Sequence, residues 1–215
     1  MIRTARLSRE GMHVVLAGGI VGLSDEPDEV RALLAAERFD AVLLGIPFED
    51  LDAIRATAGK ERSQTFERDD TDDFYFKTLS RFGSVQVPPG DLYAAFDHAQ
   101  QNALRVEAID LGDEGHTALW TEHVGMFELI KNNRRLKRLD QESFAAKDAQ
   151  EFAREWDEKL FPTKGLRRVQ EEREAWMAKR IIDLVQPSHR VFALVPLARW
   201  DGVRRRLESA GFRAA

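Results

Sequence analysis

His116 and His123 lie seven residues apart on one face of a predicted helix, with Asp113, Glu114 and Glu122 beside them. Imidazole and carboxylate together form a ligand set for divalent metals. The i,i+4 histidine spacing of zincins is absent, and the same residue types ordinarily solvate or cap a helix. Gly18-Gly19-Ile20-Val21-Gly22 follows a predicted strand and invites comparison with a dinucleotide loop. Its spacing is not Gly-x-Gly-x-x-Gly, and the second strand runs into Gly45 without an acid to hold a ribose. The glycines are equally explained by a tight turn and a close helix approach. Arg173 and Arg199 offer anion chemistry, because a guanidinium grips carboxylate or phosphate with two parallel hydrogen bonds. The competing role for each is an internal ion pair with Asp110 or Glu174. No Gly-x-Ser-x-Gly elbow and no Walker A loop is present. The sequence therefore predicts no resident metal and no cofactor.

The elements that must position these residues come from a chain of 215 residues, 43% hydrophobic and 32% charged, with a net charge of −5. That length supports one substantial core. A net negative chain is a poor partner for nucleic acid. The basic run from Lys131 to Arg138 falls at a predicted helix end, where the helix dipole favours cations. Without cysteine there are no disulfides, zinc ribbons or thiol nucleophiles. The first residues lack the apolar core of a signal peptide, and no stretch approaches the ~20 apolar residues of a membrane span. The expectation is a cytoplasmic protein that does not engage a membrane.

His13–Ala17 and Ala41–Leu44 read as buried strands, and the acids and Pro27 between them open a helix. An exposed, mobile loop is predicted over 57–73, with the acids Asp69 to Asp73 as helix-capping charge. Pro88-Pro89-Gly90-Asp91 launches a helix with Leu92, Ala95, Phe96 and Ala99 on one face. Arg105–Ile109 is the third strand. A long helix over 115–139 follows, then one from Asp148 capped by the Asp148–Glu151 spacing. A helix from Leu166, a strand over Val191–Val195 and a helix from Trp200 complete the pattern. Alternating β and α units predict a single α/β domain over 1–215. Its sheet is mostly parallel and flanked by helices, with a helical excursion at about 115–160 between the third and fourth core strands.

Several blocks together resemble the TraB/PrgY/Tiki superfamily, which includes metal-dependent peptidases and pheromone-shutdown proteins. They are Pro89 to Ala99 leading to Val106-Glu107-Ala108-Ile109-Asp110, Asp148 to Trp156, Glu171 to Ile182, and Arg190 to Gly202. The resemblance implies a metal site built from two Gly-x-x-His motifs and a Glu. The corresponding positions here are Val21, about Gly45, and Pro196-Leu197-Ala198-Arg199, none of which offers a metal ligand. Arg173, and Asp110 at the end of the third strand, remain. The resemblance thus implies a relative without that hydrolytic chemistry, in which Gly18, Gly19, Asp110, Arg173, Glu174 and Arg199 line a degenerate cleft. A small anionic ligand or a protein partner is the expected occupant. The enzyme alternative is a hydrolase rebuilt on Asp110, Asp113, Glu114 and His116. The structural alternative is a homodimer joined through the long helices of 115–160.

Overall fold

The computed structural model describes residues 2–57, 70–186 and 189–215. Among them, six strands form one sheet: β1 (Arg3–Arg9), β2 (Met12–Gly19), β3 (Ala41–Leu44), β4 (Arg105–Ala108), β5 (Arg190–Pro196) and β6 (Arg213–Ala214). Their spatial order is β4-β3-β5-β2-β1-β6. β4, β3, β5 and β2 are parallel, whereas β1 pairs antiparallel with β2 and β6 antiparallel with β1. This is the mostly parallel α/β sheet that the alternating pattern predicts. The departure is β1, which places His13–Ala17 in the second strand rather than the first. Only Leu7 of β1 is buried, so its charged, edge-like composition carries no apolar signal. Glu10 and Gly11 have positive φ of 49° and 81° and close the β1–β2 hairpin.

The parallel strands alternate their side chains between two cores. On one face Val15, Ala17, Val42, Leu44, Phe192 and Leu194 pack against α1 (Glu26–Ala35), α2 (Phe48–Ala56) and α4 (Gly90–Gln101). On the other, Val14, Leu16, Leu43, Ala193 and Val195 pack against α8 (Lys164–Leu184) and α9 (Leu197–Ser209). A third, aromatic cluster joins α3 (Asp70–Leu79) to α7 (Ala149–Leu160) through Phe74, Tyr75, Phe144, Phe152 and Trp156.

The predicted loop over 57–73 lies mostly outside the described residues. At its end Asp70, Asp72 and Asp73 occupy the first turn of α3, where carboxylates are favoured by the dipole. Between β4 and α8 run α5 (Asp113–His123), α6 (Met126–Leu136), a 3-10 turn at Leu139–Gln141, and α7. The continuous helix predicted over 115–139 is therefore two helices. Val124 turns extended, with ψ 109°. Gly125 then caps α6, its N–H bonded at 3.2 Å to the Glu128 carboxylate. No helix among the described residues is long and apolar enough to cross a membrane.

Candidate functional site

β2 passes into α1 on one face of the sheet, and its neighbour β5 passes into α9 on the other. In open α/β sheets the crevice between two such strands, outside their carboxyl ends, is where ligands are held. Here that edge is formed by Gly18-Gly19 of β2 and Val195-Pro196 of β5.

The polar residues expected along the edge form a chain of ion pairs. Asp110, just beyond β4, accepts from Arg173 Nη2 at 2.5 Å and from Arg173 Nε at 3.3 Å. The Asp110 side chain is 2% exposed, and Arg173 is further held by Gln170 Oε1 at 2.8 Å. Arg199, in the first turn of α9, is 5% exposed. It donates to Glu174 Oε1 at 3.4 Å and, through Nη2, to Asp157 of α7. Glu174 also accepts from Arg206 at 2.8 Å. Burial pushes the carboxyls of Glu174 and Asp157 up despite the pull of Arg199. The internal pairing weighed from the sequence is thus what Arg173 and Arg199 do. Asp157 is the partner that sequence reasoning missed; it lies one residue beyond the apolar stripe ending at Trp156, where an acid looks solvated.

Beside this network opens a cleft of about 780 Å³ bounded by α6, α7, α8 and α9, a size suited to a small ligand. Arg199 and Glu174 line its floor and Arg135, Arg167 and Arg205 its walls. Arg167 and Arg205 form no ion pair with a described residue, in contrast to Arg168, Arg173, Arg199 and Arg206 around them. Arg135 Nε and Gln170 Nε2 are buried donors without an acceptor. Burial holds the Arg135 guanidinium below its ordinary pKa, as expected of a charge short of partners.

The glycines have structural explanations. A side chain at Gly18 would begin 2.8 Å from Trp200, and that indole is fully buried and bonded to the Leu16 carbonyl at 3.2 Å. At Gly45, where the resemblance expects a Glu, a side chain would begin 2.9 Å from Val195 Cα. The family's acid has no room there, and the residues at its metal positions do not fit a metal.

Gly19 faces a feature that no sequence pattern marks. A side chain there would begin 3.0 Å from Glu26 Oε2 and 3.2 Å from Asp91 Oδ2. Glu26, in the first turn of α1, and Asp91, in the first turn of α4, are 0% and 4% exposed. Burial, with repulsion from Asp91 second, pushes the Glu26 carboxyl up to about 8. Burial also pushes Asp91 up to about 6, against the backbone N–H groups of Leu92 and Asp91. Acids at helix starts read as capping charge, so no pattern marks these two as inward-facing.

Of the rebuilt set of Asp110, Asp113, Glu114 and His116, the two aspartates lie near enough to His116 for their charges to favour its protonated form, but the hydrogen bonds of this group run elsewhere. No hydrogen bond links any of these four to another: Asp113 N–H bonds Glu49 at 3.1 Å, and His116 Nε2 accepts from Trp120 at 3.2 Å. Burial and the charge of Arg173 lower the His116 pKa, favouring the neutral ring. Among the described residues no group of three His, Asp or Glu is arranged to hold a metal. No family model matches the sequence, and no curated protein matches it.

Proposed function

We propose that this chain binds a small anionic ligand, a phosphate or carboxylate, in the cleft between α6, α7, α8 and α9. It does so as a TraB/PrgY/Tiki-like relative without that family's metal-dependent hydrolysis. The observation that carries this reading is a set of cleft donors with no hydrogen bond or ion pair to a described residue: Arg167 and Arg205, with buried Arg135 Nε and Gln170 Nε2. Arg199 and Glu174 serve as its rigid floor rather than as ligand contacts, since their charges are already committed to each other, Asp157 and Arg206. An anion entering the cleft supplies acceptors to donors that otherwise lack them, and charge-assisted bonds to guanidinium are the strong class.

The test is a thermal-shift and calorimetric titration with inorganic phosphate, pyrophosphate and citrate. Saturable binding is expected for at least one of them, adding about 2.7 kcal/mol of stability at a hundred times the dissociation constant. The double variant Arg167→Gln/Arg205→Gln, altered only at exposed side chains, should bind more than about tenfold more weakly at unchanged intrinsic stability. Absence of a saturable shift at millimolar anion, or full binding by the double variant, would overturn the proposal.

A second reading, a protein partner in the form of a second copy, is favoured by α6. Met126, Phe127 and Ile130 are 74%, 88% and 42% exposed on that one helix, more apolar side chain than a lone surface helix ordinarily shows. Light scattering across a concentration series should then report a dimer that Phe127→Glu converts to monomer. A parent chain that stays monomeric removes this reading.

A further inference from the structure

The crevice between β2 and β5 is separate from the arginine cleft and holds the Glu26–Asp91 pair. Glu26 Oε2 accepts from the Ile20 N–H at 2.7 Å, but Glu26 Oε1 and Asp91 Oδ1 are buried with no hydrogen-bond partner. Neither carboxylate forms an ion pair with a described residue, unlike Asp110, Asp157 and Glu174 along the same sheet edge. Buried carboxylates are normally paired or bound to a cation, because desolvating an uncompensated charge costs several kcal/mol. Asp91 and Gly19, though not Glu26, also bound a small cavity of about 30 Å³, together with Val21, Gly45 and Pro196. A space of that size admits one water or one ion and nothing larger. The missing side chain at Gly19 keeps it open, since any Cβ there would crowd both carboxylates.

We propose that Glu26 and Asp91 form a binding site for one hard divalent cation, Mg²⁺ or Mn²⁺, at the crevice between β2 and β5. The donor set decides the class of ion. Both side-chain donors are carboxylate oxygens, and the chain has no cysteine. Oxygen-only sites select hard cations over zinc or copper. Mg²⁺ in particular is commonly held by one or two carboxylates, the remaining positions going to water or backbone oxygen. The starts of α1 and α4 favour negative charge here, and a divalent cation would balance the two carboxylates when both are ionised, offsetting the burial and mutual repulsion that otherwise raise them. Its two carboxylate ligands lie outside the positions from which the family resemblance would draw metal ligands, although Val21, Gly45 and Pro196 border the same cavity, and the site stands independently of the anion cleft.

The experiment is a titration of the purified chain with Mn²⁺ at pH 8, after chelator treatment, following free Mn²⁺ by electron paramagnetic resonance, with Mg²⁺, Ca²⁺ and Zn²⁺ as competitors. The expected result is one saturable Mn²⁺ per chain, displaced by Mg²⁺. The isosteric variants Glu26→Gln and Asp91→Asn should each weaken binding by more than about tenfold, while Arg167→Gln/Arg205→Gln leaves it unchanged. Circular dichroism and thermal midpoints of the variants in chelator separate loss of the site from loss of the fold. Absence of a saturable Mn²⁺ site, or Mn²⁺ bound equally by Glu26→Gln and Asp91→Asn, overturns the proposal. Displacement by Zn²⁺ but not by Mg²⁺ overturns the assignment to a hard cation.

Discussion

Glu26→Gln is expected to outlast the parent chain in denaturant at pH 8 to 9 and to lose that advantage by pH 4, when both are measured in chelator. Glu26 is fully buried and its carboxyl titrates near 8 in the folded protein, against 4.5 as the ordinary value. A folded-state pKa above the unfolded one means that the native chain holds the extra proton between those two values. Stability is then fully present below about pH 4.5 and falls as pH rises through 8, at a slope of up to about 1.4 kcal/mol per pH unit. Across the interval the parent stands to lose up to about 5 kcal/mol. Asp91, raised to about 6, steepens the fall in the lower part of the range. Glutamine cannot ionise, so its curve lacks the Glu26 contribution, and the quantity to compare is the difference between the two urea midpoints as a function of pH. Parallel curves from pH 4 to 9 would show that Glu26 is not held as a neutral acid.

Arg199→Ala should be the most damaging single change at the sheet edge. It strands two carboxylates: Glu174, whose side chain is 10% exposed, and Asp157 at 26%. Removing one partner of a buried pair costs about 3–5 kcal/mol. Arg206 limits the loss at Glu174, which leaves Asp157 as the more exposed casualty. Both carboxyls are already pushed up by burial, and losing the guanidinium raises them further. A carboxyl with a raised folded pKa is tolerated while protonated, so the defect should shrink at pH 4 to 5 and widen above pH 7. Adding Asp157→Asn should recover part of the loss. A pH-independent defect, or one below about 1 kcal/mol, would mean that the network does not hold α7, α8 and α9 together.

The central fold is legible because its strands are apolar without interruption: Ala41-Val42-Leu43-Leu44 and Val191 to Val195 have no polar position to obscure them. β1 escapes notice for the opposite reason, since Arg3, Arg6 and Arg9 look like a solvated leader until β2 and β6 are paired to either side. The break between α5 and α6 escapes because helical spacing continues across Val124-Gly125, while the cap that ends it depends on Glu128 turning back. The Arg173–Asp110 and Arg199–Glu174 pairs could be named in advance as the alternative to ligand binding, because buried charges seek partners. Glu26 and Asp91 could not. Whether an acid in a first helical turn faces water or a neighbouring helix is set by how α1 and α4 pack across Gly19, and local sequence does not encode that.

α5 contributes no buried residue, and α6 contributes only Asn132. Besides Leu136, which packs against the third cluster, a polar latch fastens this pair to the body: the Glu128 carboxylate accepts from the Gly165 N–H at 3.3 Å, at the start of α8, while also capping α6. A segment with so little buried apolar surface opens at lower free energy than the sheet. Arg135 lies on α6 and forms part of the arginine cleft, so the cleft is complete only while α6 is seated. In the proposed anion binding, ligand capture and the seating of α6 would be one equilibrium, part of the binding free energy going into immobilising that helix. The proposed anion affinity should therefore respond to substitution of Glu128, at the opposite end of α6 from Arg135, without any change in the cleft itself.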